Sequence, residues 1–111
     1  MKLDYTYKWL LQKVFAVLFL ITSFYTIYSI NTLEFYNYQI VTLWFKNYLN
    51  SFSVLVMFLS IFLHSNIGLT SIIDDYVHDE FIKKKIIIIK NFFFVVLFFI
   101  TIFSLARLIL K

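Results

Sequence analysis

The sequence has no cysteine, no proline and one glycine, and only 14% of its 111 residues are charged. Without cysteine there is no disulfide scaffold and no thiolate metal site, and a single glycine cannot build a glycine-rich phosphate loop. The same scarcity of glycine and proline excludes a disordered linker. Low charge beside 62% hydrophobic residues excludes an ordinary soluble domain, and the length suits one unit, residues 1–111. What the chain does have is aromatic mass: fifteen Phe, eight Tyr and two Trp. The formal charge is +4, but the basic residues cluster at the ends of apolar runs and make no stripe interleaved with aromatics. That arrangement speaks for membrane orientation and against nucleic acid.

An ionised side chain at the bilayer centre costs about 2.5 to 3.5 kcal/mol, so charge-free runs locate the spans. Three are long enough: residues 14–33, residues 47–73 with one His, and residues 86–106, interrupted only by Lys90 one turn from the start. In lipid every backbone group must be paired within its own segment, which dictates helix despite the many Phe and Ile, and the runs are too long for barrel strands. The expected class is therefore all-α: an integral membrane protein of three transmembrane helices that pack with a second membrane subunit. Lys90 reads as a border marker, its stem bent toward the helix start and its ammonium among head groups.

Lys2, Lys8 and Lys13 precede the first run, which is long and ends in no small-residue cleavage site, so an uncleaved anchor is expected rather than a signal peptide. Heavy use of Lys, Ile, Phe, Asn and Tyr suits an A/T-rich organellar genome. With three crossings the termini lie on opposite sides. One side collects Lys2, Lys8, Lys13, Lys83, Lys84, Lys85 and Lys90; the other has Lys46, Arg107 and Lys111. The positive-inside rule then puts the N-terminus and the 74–85 loop in the matrix of a mitochondrion or the cytoplasm of a bacterium. Residues 34–46, aromatic and half polar, suit a short segment lying at head-group level on the opposite side.

His64 is the one ionisable residue deep in a charge-free run, and such a group marks a site until shown otherwise. Helical spacing stacks it with Ser53, Met57 and Ser60 on one side and Gly68, Ser71 and Asp75 on the other. This stripe of small and polar residues would let a backbone or a flat ligand approach, and a planar macrocycle fits there. Imidazole is a common axial haem ligand, and since no other His lies in a span the second ligand would come from another subunit. The competing reading is a histidine that merely bonds a neighbouring helix or a carbonyl. His64 and His78 are too far apart in the chain, and on opposite sides of a border, to share a zinc ion. After the second run comes a cluster of Asp74, Asp75, Tyr76, His78, Asp79 and Glu80. A phenol beside a carboxylate can bond a carbonyl and help pass a proton; the plain alternative is a helix end whose acids face Lys83, Lys84 and Lys85.

These residues resemble the small D-type membrane-anchor family of succinate dehydrogenase, respiratory complex II, a cytochrome b subunit. His64, Gly68, Asp75 and Tyr76 match its H-x3-G-x6-D-Y pattern in type and offset; Val77, His78, Asp79 and Glu80 look like the continuation in bacterial and mitochondrial-type members. Trp9, Gln12, Lys13 and Ala16 resemble its W-x2-Q-R-x2-A entry to the first helix. The resemblance implies that His64 is one axial ligand of haem b, with the other from the larger C-type anchor subunit, and that Ser60, Gly68 and Ser71 allow close approach on the haem face. It implies that Tyr76 donates to a ubiquinone carbonyl and that Asp75 orients it or supplies the proton route. Lys13 stands where the family has Arg; it keeps the charge for a haem propionate but lacks the planar fork. The implied partners are that larger anchor, an iron-sulfur subunit, a flavoprotein subunit and membrane lipids, in the mitochondrial or bacterial inner membrane. The chain would complete a quinone-reducing enzyme without an active site of its own. The alternative is a structural small subunit of another respiratory complex. An ion conductor is disfavoured, since no span has a central Asp or Glu.

Overall fold

The computed structural model describes residues 2–110, with side chains from Thr6 onward; Lys111, counted above among the charges, lies outside the described residues. Four helices follow one another: α1 (Lys2–Ile30), α2 (Tyr38–Lys46), α3 (Tyr48–Tyr76) and α4 (Glu80–Leu110). Three segments, Thr6–Ile30, Tyr48–Tyr76 and Glu80–Leu110, are long and apolar enough to cross a membrane. At 1.5 Å per residue each exceeds the roughly 30 Å of hydrocarbon.

The helix bounds differ from those of the charge-free stretches, α1 ending at Ile30 inside its stretch while α3 and α4 run past residues 73 and 106, because lipid exclusion and helix termination are different physical events. A helix ends where something else can take its free backbone groups. Asn37 starts α2 by accepting from the Gln39 and Ile40 N–H groups at 3.1 and 3.3 Å. Asn47 ends α2 and starts α3: its own N–H donates to the Trp44 carbonyl at 3.3 Å, while its side chain accepts from Leu49 N–H at 3.0 Å. Asp79 begins α4 by accepting from Phe81 N–H at 2.9 Å and Ile82 N–H at 3.4 Å. Asparagine and aspartate are the side chains best suited to this task. The first connection, expected as one interfacial segment, thus contains a short helix of nine residues, α2.

α3 is the middle of the arrangement. It packs against α1 on one side and α4 on the other, while α1 and α4 make no close backbone approach among the described residues. α2 caps the end where α1 passes to α3, touching α3 and α4. Pairings run antiparallel: Gln12 meets His64 and Thr26 meets Ser53 across α1 and α3, and Asn66 meets Lys90 across α3 and α4. The N-terminus and the α3–α4 turn therefore share one end.

The interior is polar where a soluble protein's would be greasy. Among the described residues the buried side chains are Thr26, Thr42, Asn50, Ser51, Ser53 and Ser60 beside only Val54, Ile73 and Leu105. Phe24, Phe92, Phe99 and Phe103 point outward. In a lipid surrounding, burying a Phe would gain little, whereas small residues let backbones close up and hydroxyls find partners. Asn50 is the clearest case: it accepts from the Tyr25 hydroxyl at 2.8 Å and donates to the Trp44 carbonyl at 3.1 Å, tying α1, α2 and α3 together. Trp44 adds a bond from its indole N–H to Ser29 at 2.8 Å, and the Ser51 hydroxyl donates to the Phe45 carbonyl. Asn50→Leu keeps the volume and removes both bonds. It is expected to cost about 1 to 2 kcal/mol in steric-trap unfolding in micelles; no change would mean that this knot contributes nothing.

Candidate functional site

His64 sits in α3 with its ring against α1. Its Nδ1 lies 2.9 Å from the backbone carbonyl of Gln12. A carbonyl only accepts, so Nδ1 carries the proton, and in the neutral ring Nε2 is left with its lone pair. This is how a protein usually prepares an imidazole for a metal: one nitrogen is anchored to a carbonyl and the other is offered.

The small-residue stripe divides along its length. Ser53 and Thr26 share a hydrogen bond at 3.3 Å, and Ser60 is 3% exposed. A side chain on Gly68 would begin 3.1 Å from the Gln12 Nε2, so the glycine makes room for the Gln12 amide. The stretch from Ser53 to Gly68 thus serves contact with α1 of the same chain. Beyond it, Ser71 is exposed. It lines a cleft of about 360 Å³ with Tyr7, Lys8 and Leu11 of α1 and Asn66, Ile67, Thr70 and Asp74 of α3. Lys13 is exposed on α1, its ammonium 5.9 Å from the Trp9 ring centroid, and it borders a shallow apolar hollow with Val14, Val17 and Leu18.

Asp75 and Tyr76 occupy the final turn of α3, both exposed, with Tyr76 at 79%. One continuous helix carries His64 and Tyr76, twelve residues and therefore about 18 Å apart along its axis. The neighbouring acids have other work. Asp74 and Glu80 lie 3.8 and 4.0 Å from the Lys83 ammonium, and Asp79 caps α4. Glu80 also stands in the first turn of α4, where negative charge is favoured. The crowding of carboxylates at this border is thus largely accounted for by the turn itself, which leaves Asp75 beside Tyr76.

Lys90, expected as a border marker with its stem bent toward the helix start, also has partners within the chain. Its ammonium bonds Asn66 Oδ1 at 2.6 Å and Thr70 Oγ1 at 2.5 Å, across the α3–α4 contact. Two acceptors one turn apart on α3 hold the cation, and the flexible stem reaches them. Asn66, Thr70 and the Gln12 carbonyl are the participants that sequence reasoning passed over. Asn66 and Thr70 did carry a signal, their four-residue spacing in an apolar helix; a backbone carbonyl carries none.

The donors present suit an axial imidazole better than a chelated ion. Among the described residues no three of His, Cys, Asp and Glu gather around a common point. One pre-oriented imidazole, from a helix that turns two of its sides to other helices of the same chain, fits a cofactor whose remaining ligands lie elsewhere. Compared with family models, curated proteins and solved structures, the chain matches none.

Proposed function

We propose that the chain is a membrane-anchor subunit of a succinate:ubiquinone oxidoreductase, holding one side of a haem b and part of a ubiquinone site. The observation that carries the reading is His64 Nδ1 bonded to the Gln12 carbonyl at 2.9 Å on the helix that ends in exposed Tyr76. The family resemblance of His64, Gly68, Asp75 and Tyr76 supports it.

The chain's own residues do the positioning. Gln12 selects the tautomer of His64 and holds the ring's plane, and Gly68 allows α1 close enough to do so. Ser60 closes the same contact, and Ser71 lies on the part of the helix that stays open. His64 would hold the haem together with a residue of the larger C-type anchor, and the group would supply a one-electron store when bound. Lys13 would neutralise a propionate without the planar grip of Arg. Tyr76 donates its hydroxyl to a quinone carbonyl, which becomes a stronger acceptor as negative charge develops on its oxygen. Asp75 beside it orients the phenol or passes the proton. The flavoprotein and iron-sulfur subunits would dock at the end bearing Tyr76, on the matrix or cytoplasmic face of an inner membrane.

Purification in mild detergent tests this directly. The expected companions are a flavoprotein, an iron-sulfur protein and a larger haem-ligating anchor, with a b-type reduced-minus-oxidised spectrum. Recovery with subunits of another respiratory complex, and with neither flavin nor iron-sulfur protein, would replace this proposal by a purely structural role.

A further inference from the structure

The contact of Lys90 with Asn66 stands at the head of a second feature. Between α3 and α4 runs a groove of about 390 Å³ lined by Leu59, Phe62, Leu63, Asn66, Asn91, Phe94, Val95 and Phe98. Its polarity is ordered along its length. Asn66 and Asn91 lie at the end nearer the α3–α4 turn, with the Lys90 ammonium 2.6 Å from the Asn66 oxygen. From there every lining residue is apolar, down to Leu59 and Phe98, seven residues or about 10 Å further along the two helices.

A cation and two amides at the membrane border, followed by an aliphatic and aromatic channel toward the membrane centre, match the shape of one molecule class. We propose that this groove is a binding site for an anionic phospholipid of the leaflet on the α3–α4 turn side. Its phosphate would lie at Lys90, Asn66 and Asn91, and one acyl chain would lie along Phe62, Phe94 and Phe98.

Charge selects the occupant. Two of the three ammonium protons of Lys90 go to the neutral Asn66 and Thr70, which hold the cation in place without cancelling it. The ion pairs within 4.0 Å among the described residues are those of Lys83 with Asp74 and Glu80, so Lys90 has no carboxylate in contact. Asp74, the acid whose charge reaches Lys90, is paired with Lys83 and lines a neighbouring cleft with Tyr7, Lys8, Asn66 and Thr70. That cleft is less hospitable to a phosphate, whereas the groove contains no acid. Lys83, Lys84 and Lys85 one to two turns earlier in α4 add positive potential at the same border. The site is separate from His64 and Tyr76 and does not depend on the haem and quinone reading.

Native mass spectrometry of the full chain, with whatever subunits accompany it, tests the proposal by titration with dioleoylphosphatidylglycerol and dioleoylphosphatidylcholine, which share tails and differ in net charge. The anionic lipid is expected to bind about fivefold tighter or more. Lys90→Gln, whose amide can still reach Asn66 and Thr70, should abolish that preference; Lys85→Gln, which removes equal charge from the same end, should largely keep it. Val95→Trp fills the groove without touching the cation and should weaken the anionic lipid at least about fivefold. Equal affinity for the two lipids, a preference surviving in Lys90→Gln, or unchanged binding in Val95→Trp overturns the proposal. So does displacement by millimolar inorganic phosphate, which would show an anion site that does not read the chain.

Discussion

In His64→Leu the b-type reduced-minus-oxidised band of the purified complex is expected to disappear. His64 would hold the haem through its imidazole, and Leu offers no donor in its place. The substitution also cuts the bond to the Gln12 carbonyl, so a lost band by itself would not separate ligation from loosening of α1 against α3. His64→Gln makes the separation. Its amide N–H can still donate to the carbonyl that now lies 2.9 Å from His64 Nδ1, but an amide is a poor ligand for haem iron. Assembly near wild-type level with the band missing is the expected outcome for Gln. A spectrum unchanged in both variants would remove His64 from the coordination sphere and leave it as a helix-packing group.

Tyr76→Phe is expected to lower succinate-driven quinone reduction roughly ten- to a hundredfold, the cost of one hydrogen bond to an oxygen that gains charge. Succinate oxidation by a soluble artificial acceptor should stay within about twofold, because electrons then leave before the quinone. The phenol is 79% exposed at the end of α3, so removing its hydroxyl breaks no internal packing. That makes the contrast between the two assays informative. Equal loss in both would point to failed assembly, and no loss in either would leave Tyr76 an interfacial anchor like exposed tyrosines such as Tyr28, Tyr36 and Tyr48.

How legible each part was depended on whether its cause is local. Helices long and apolar enough to cross a membrane follow from runs of uncharged residues, since the cost of a charge in hydrocarbon is paid position by position. The turn between α3 and α4 was half legible. Its acids looked like a site, and only the geometry showed that Asp79 caps α4 while Asp74 and Glu80 serve Lys83. The partners of Lys90 were illegible for a related reason: Asn66 and Thr70 are twenty and more residues away in the chain.

Composition and pattern alone therefore determined that the chain is helical and where its apolar segments lie, because each of these depends on residues close in sequence; that α3 runs on through Tyr76, in the stretch expected as the 74–85 loop, came from the structure. The tertiary structure decided what each face of that helix meets. It gave Ser53 and Gly68 to α1, buried Ser60, set the His64 tautomer through the Gln12 carbonyl and drew Lys90 to Asn66. Hydrogen bonds and close packing between helices depend on distances of a few ångströms across the fold, and no periodicity along one strand of sequence encodes which neighbour will supply them.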